Sequence, residues 1–275
     1  MTSGLLKNYS YARKAITYED YDYIYISPHF DDVAFSCSGA ICTYRAQGFH
    51  VLIVTLFAGD PQPPFPPLAQ ACHQLWQVPE GAPPYQIRKA EDEKAMGALG
   101  VDYLWLNWLE VIYRVPDLSD FSDINDYHAD FHHDPLFPTL RQWLVDLHAT
   151  YPSATIVVPL GVGGHRDHRI LFQAALNVLD RATLLFFEDF PYVAYLPEET
   201  TELVRSYNLA PLEVDISHCL EQRIHAAGFY QSQHAMLFYP PSSFRDMIKE
   251  YAHMGEQHHF VERYWKFSQD HSGFL

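Results

Sequence analysis

The 275 residues carry 34 acidic against 18 basic side chains, a net charge of −16, with 48% hydrophobic residues and 16 histidines. A chain of this size and apolar share can bury the core of a soluble globular protein. So large an excess of negative charge repels phosphate backbones and anionic bilayers, which excludes nucleic acid and membrane insertion as expected partners.

YDYIYIS (21–27) alternates and predicts a first strand. A helix over roughly 33–47, ended by Gly48, leads to VLIVTLFA (51–58), a continuous apolar run typical of a strand covered on both faces. Strand, helix, strand is a βαβ unit, and such units build parallel sheets. Eight prolines between 59 and 84 predict a largely irregular excursion, read equally as surface decoration or as a cleft wall. Tyr85–Leu99 predicts a helix closed by Gly100, and VDYLWLNWL (101–109) a third strand. A helix is expected over 137–150, a fourth strand over ATIVVPL (154–160), a helix over 168–182 and a fifth strand over TLLFFEDF (183–190). Two further helices are expected near 217–233 and 241–254, and HHFVERYW, from residue 258, has no assignment. Neither a repeat nor a linker divides the chain, so one α/β domain over 1–275 is expected, with a mostly parallel sheet between helical layers.

Cys37, Cys42, Cys72 and Cys219 show no CxxC spacing, the N-terminus has no apolar signal core, and no apolar run approaches the ~20 residues of a membrane helix. A reduced, cytoplasmic protein is the expectation. Cys37 is read as a buried structural thiol, and whether the chain self-associates is left open.

Open parallel sheets carry function in the loops at the carboxyl ends of their strands. SPHFDD (27–32) follows the first strand and GVGGHRDH (161–168) the fourth, so both project from one edge. His29 and Asp32 are three positions apart, as are His165 and His168, and each pair can aim at one point. Two histidines and a carboxylate form the open three-ligand set of catalytic zinc. The six residues of the two motifs divide into three to hold an ion and three for chemistry or support. YHADFHHDP (127–135) is read as a solvated loop or cleft rim, and GVGG as backbone that approaches a site closely, not as a dinucleotide cradle. Glu188 and Asp189, at the end of the fifth strand, are read as a cap, a salt bridge or a substrate contact. Trp105 and Trp108 are read as core, and Gln231 to Gln233 as structural.

These motifs resemble the PIG-L/LmbE-like zinc-dependent de-N-acetylases. SPHFDDVAFSCSG (27–39) is similar to the family's PHPDD-type opening. Arg88, Glu91, Ala95 and Leu99-Gly100 match its R-x-x-E-x-x-x-A-x-x-x-L-G helix, and GGHRDHR (163–169) its HxDH motif. FFEDFPY (186–192) and AAGFYQSQ (226–233) resemble two further segments, and the five occur in the family's order. Val33 and Phe30 depart from it, where many members carry Glu and Pro. The resemblance implies an LmbE-like, Rossmann-like αβα fold with zinc on His29, Asp32 and His168. It implies Asp31 as general base, His165 as a cationic partner for the oxyanion or leaving amine, and Asp167 as the group orienting His165. Arg88 and Glu110 would contact the substrate. The adjacent Asp31 and Asp32 then cease to be anomalous, because the ion offsets their repulsion. The expected function is removal of an acetyl group from a small N-acetylated sugar or glycoconjugate. Two alternatives stand beside it: deacylation of a non-sugar amide such as an antibiotic or thiol precursor, and metal binding without catalysis.

Overall fold

The computed structural model describes residues 9, 11–18, 20–115, 117–126, 131–240, 243–253 and 259–268. The strands are Tyr11–Ala15 (β1), Tyr23–Ser27 (β2), Val51–Thr55 (β3), Asp102–Leu106 (β4), Thr155–Pro159 (β5), Leu184–Phe187 (β6), Leu209–Asp215 (β7) and Val261–Phe267 (β8). They form one sheet in the order β1-β4-β3-β2-β5-β6-β8-β7. The five predicted strands are its parallel centre, β4 to β6. β3 and β4 are buried at every position, as their unbroken apolar sequences require of strands covered on both faces.

The edges are antiparallel. β1 pairs with β4, β8 with β6, and β7 with β8. None of these three was predicted. β7 carries Pro211 and is only partly buried, and β8 mixes Glu262, Arg263 and Lys266 with aromatics, so neither shows a clean period of two.

The longer helices are Asp32–Ala46 (α1), Pro67–Leu75 (α2), Gln86–Leu99 (α3), Leu136–Thr150 (α4), Arg166–Val178 (α5), Pro197–Ser206 (α6), Leu220–Ala227 (α7), Gln231–Leu237 (α8) and Phe244–Ala252 (α9). α1, α3 and α7 pack together, and α4 packs on α5, flanking the sheet in a three-layer αβα arrangement. Three expectations are corrected. The proline-rich segment holds a helix, α2, because Pro67 stands at its first turn, where a missing N–H costs nothing. The helix expected over 217–233 is two, α7 and α8, separated at Gly228 to Tyr230. α5 begins at Arg166, so His165 and not His168 stands at its start. No helix among the described residues is long and apolar enough to cross a membrane.

From β2 the chain steps outward through β3 and β4, then crosses to the other side of β2 for β5 and β6. The strand order reverses between β2 and β5, which pair directly: Tyr23 lies opposite Thr155, and Tyr25 opposite Val157. A crevice opens at the carboxyl ends of strands that diverge in this way. Both histidine-bearing loops begin there.

Candidate active site

β2 ends at Ser27, and the next residues wind into α1. The Ser27 hydroxyl donates to the His29 carbonyl at 2.5 Å, and the His29 N–H donates to Asp32 Oδ2 at 2.7 Å. These two bonds fold SPHFDD into a turn with His29 and Asp32 on one side. Beyond β5, Gly161, Gly163 and Gly164 take positive φ, and His165 becomes the N-cap of α5. Two helix N-termini therefore converge, and their partial positive charge favours the carboxylates there.

His29 Nδ1 lies 3.3 Å from Asp32 Oδ2, His168 Nε2 lies 3.3 Å from Asp32 Oδ1, and the two nitrogens are 3.4 Å apart. The separation of the two nitrogens matches the edge of about 3.3 Å of a tetrahedron whose ligands stand about 2.0–2.1 Å from zinc, and Asp32 presents a different carboxylate oxygen to each ring. His165 adds a third imidazole, with one ligand atom each of His29, His165 and His168 within 4.8 Å of one another. The donor set fits a divalent ion with an open position.

The far nitrogen of each ring has its own carboxylate. His168 Nδ1 bonds Asp189 Oδ1 at 2.7 Å, and His29 Nε2 bonds Asp167 Oδ2 at 3.2 Å. Such bonds fix the tautomer and the ring orientation of a metal-binding histidine. Asp189 is held in turn by the N–H groups of Gly161 and Val162 at 2.7 and 3.1 Å. Asp167 accepts from the Val111 N–H at 2.9 Å and from Arg114 Nη1 at 2.8 Å. Asp167 was expected to orient His165. Its backbone N–H donates to His165 Nδ1 at 3.2 Å, while its carboxylate lies against His29.

Burial, with His29 and His168 alongside, holds the pKa of His165 well below the ordinary imidazole value. With Nδ1 accepting from the Asp167 N–H, a neutral ring would carry its proton on Nε2. Burial opposes the ionised form of Asp32, but His168 and His29 outweigh it and hold the pKa well below the carboxylate range. Asp31 behaves differently. Burial lifts its pKa against the pull of Arg88, with Asp32 adding to the rise. The two adjacent carboxylates are thereby separated in acidity.

Arg88, on α3, is buried. Its Nη2 donates to Asp31 Oδ1 at 2.8 Å and its Nη1 to Glu110 Oε1 at 2.7 Å, with the guanidinium 4.8 Å from the Trp76 ring centre. Arg88 and Glu110, expected as substrate contacts, line the cavity, where Arg88 bridges Glu110 and Asp31. The cavity, of about 420 Å³, brings His29, Asp31, Asp32, His165 and His168 together, and its wall includes Phe121, Ile124, Tyr195 and Met236. Asp167 supports it from behind.

Sequence reasoning missed Arg114, which belongs to no motif, and left Asp189 undecided beside Glu188. Glu188 turns away from the site to accept from Tyr251 Oη and Trp265 Nε1. Of the His-rich stretch 127–135, residues 127–130 lie outside the described residues.

The family described as PIG-L, GlcNAc-PI de-N-acetylase, matches residues 24–179. A 2'-N-acetylparomamine deacetylase of Niallia circulans is 29% identical over 189 residues, which span 62% of this chain and 67% of the relative. A 2'-N-acetylparomamine deacetylase of Streptomyces fradiae is 24% identical over 220 residues, spanning 76% and 72%. Among solved structures, the zinc-inhibited form of teicoplanin deacetylase aligns with a TM-score of 0.73 at 25% identity, covering 88% of this chain and 96% of that one.

Proposed function

The chain belongs to the PIG-L family of de-N-acetylases, and on that premise we propose that it is a metal-dependent amidohydrolase that removes an N-acetyl group from a glycosidically linked amino sugar. One observation carries the reading. His29 Nδ1, His168 Nε2 and the Asp32 carboxylate meet within 3.4 Å, and Asp31 adjoins them in the same cavity.

His29, Asp32 and His168 would hold the ion, and two nitrogens with one oxygen suit zinc. A zinc ion there supplies Lewis acidity, both to polarise an acyl oxygen and to acidify water. The chain's own groups complete the chemistry. Asp31, kept in place by Arg88, takes a proton from the attacking water and returns it to the nitrogen as the C–N bond breaks. His165 donates from Nε2 to the acyl oxygen, where negative charge gathers. Asp167 and Asp189 keep the two ligand rings in register. Glu110 offsets the charge of Arg88, so Asp31 is positioned without being paired to a lone cation.

The relatives named as 2'-N-acetylparomamine and teicoplanin deacetylases support a substrate in which the sugar is joined to a larger group. The apolar side chains Phe121, Ile124 and Met236 on the cavity wall support it further. Acetate release from N-acetylated aminoglycosides, a GlcNAc-bearing glycopeptide, free GlcNAc and simple N-acetyl amines tests this directly. Turnover of the conjugates that a chelator removes and zinc restores is expected. Hydrolysis of simple amines alone would overturn the sugar assignment, and no turnover with metal bound would overturn the enzymatic one.

A further inference from the structure

Asp92 lies four positions beyond Arg88 on α3, outside the cavity, and is 1% exposed. Two neutral donors hold it, without an ion pair among the described residues. Trp105 Nε1, on β4, donates to Asp92 Oδ2 at 2.6 Å, and Tyr230 Oη, just before α8, donates to Asp92 Oδ1 at 2.6 Å. Arg88, one turn back, is committed to Asp31 and Glu110. A carboxylate buried without a cation is costly, and a helix face packed on a sheet does not require one. Both donors belong to rings that pack on the segment carrying Asp31. The Trp105 ring stands edge-on to Phe30, with centres 5.2 Å apart and planes at 82°. The Tyr230 ring lies 5.7 Å from that of Phe35. Phe30 immediately precedes Asp31, and the Phe35 N–H donates to the Asp31 carbonyl at 2.9 Å. Phe30 lacks the ring with which a proline would lock φ, so packing must fix the backbone that aims Asp31. The two rings therefore bracket Asp31 from either side, while Arg88 grips its carboxylate.

We infer that Asp92 is a positioning residue for the reaction: by accepting from Trp105 and Tyr230 it fixes the rings that pack on Phe30 and Phe35, and so aims the Asp31 carboxylate. It touches no reacting atom and transfers no proton. This rests on the deacetylase reading, with Asp31 as the base.

Asp92→Asn keeps an acceptor for Trp105 and can turn its amide to the Tyr230 oxygen, whereas Asp92→Leu keeps the bulk and neither bond. In the metal-loaded protein, Asp92→Leu should lower kcat about 10²-fold, the scale of a misplaced group, with KM and metal content unchanged. Asp92→Asn should recover most of that rate. Trp105→Phe and Tyr230→Phe each cut one bond, and their losses should vanish when added to Asp92→Leu, as for residues that act along one path. An Asp92 that only stabilises the fold would lower the melting temperature and leave kcat within about two-fold of wild type; that result overturns the proposal, as do additive losses. If the Leu variant does not fold, the two ring variants decide: a fall in kcat at constant KM in either supports the proposal, and wild-type kcat in both overturns it. Carbon NMR of carboxyl-labelled aspartate gives a reading that needs no turnover. The Asp31 resonance, assigned through Asp31→Asn, should hold in Asp92→Asn and move or broaden in Asp92→Leu; a resonance that holds in both rejects the positioning. If the wild-type protein hydrolyses no N-acetyl amine, the deacetylase reading fails, and the resonance still decides whether Asp92 orders Asp31.

Discussion

Asp31 and Asp32 are neighbours in the chain with different surroundings. Asp32 faces His29 and His168, whereas Asp31 faces Arg88. Asp31→Asn keeps the size of the side chain and the acceptor for Arg88 while removing the proposed base. Activity is expected to fall about 10²- to 10⁴-fold with metal content unchanged, and a variant as fast as wild type would dismiss Asp31 as the base. Asp189→Asn removes the charge behind His168. Zinc affinity, read by competition with a chromophoric chelator, should weaken about 10- to 100-fold. His168 also sets a pH dependence. In the metal-free protein burial opposes its charge, but Asp32 and Asp189 outweigh it and push its pKa up to about 9. The folded value lies above the ordinary ~6.5. The stabilisation from this pairing is therefore complete below about pH 6.5 and lost as the pH rises through about 9. An ion requires the neutral ring, so zinc affinity should rise across that interval while the metal-free melting temperature declines. Calorimetry in buffers of different ionisation enthalpy should register proton release on binding near neutral pH; its absence would argue against His168 as a ligand. Motif spacing revealed these residues, but not which carboxylate serves which ring.

At the scale of elements, α1 carries the first half of the site and is held at its middle. Glu262, on β8, accepts from the Gly39 and Ala40 N–H groups at 2.9 and 2.7 Å. Arg223, on α7, donates to the Phe35 carbonyl at 2.9 Å and pairs with Glu262 at 3.2 Å. A Cβ on Gly39 would stand 2.7 Å from Glu262 Oε1. The glycine that closes SPHFDDVAFSCSG is thus needed for a buried carboxylate to reach the helix. Gly39→Ala should cost about 1–3 kcal/mol, the usual scale of overpacking, measured by chemical denaturation of the metal-loaded protein. A loss below a few tenths of a kcal/mol would mean that Glu262 moves aside freely. This contact was invisible in the sequence, because β8 itself was: its partners β6 and β7 lie far along the chain, and its mixed charged and aromatic sequence shows neither period. α1 and α3 were legible because Gly48 and Gly100 end them with positive φ.

In the whole molecule, β8 ties the C-terminal residues to β6 and β7, and β1 ties the N-terminal ones to β4. We propose that the chain folds as one domain around this sheet. Fluorescence and far-ultraviolet circular dichroism should then report one coincident unfolding transition; two separated transitions would divide the chain. An ion bound at 100 times its Kd adds about 2.7 kcal/mol, so chelation should lower the melting temperature, and an unchanged one would leave the site without metal. Local patterns by themselves determined the parallel core strands, most of the helices and the two loops that carry the donors, because periodicity, glycine stops and motif spacing are properties of neighbouring residues. Only the tertiary structure decided that Asp167 serves His29, that Asp189 and Arg114 belong to the site, and that Arg88 holds Asp31. Those relations are distances through space, set by the pairing of β2 with β5 at the point where the sheet reverses its order.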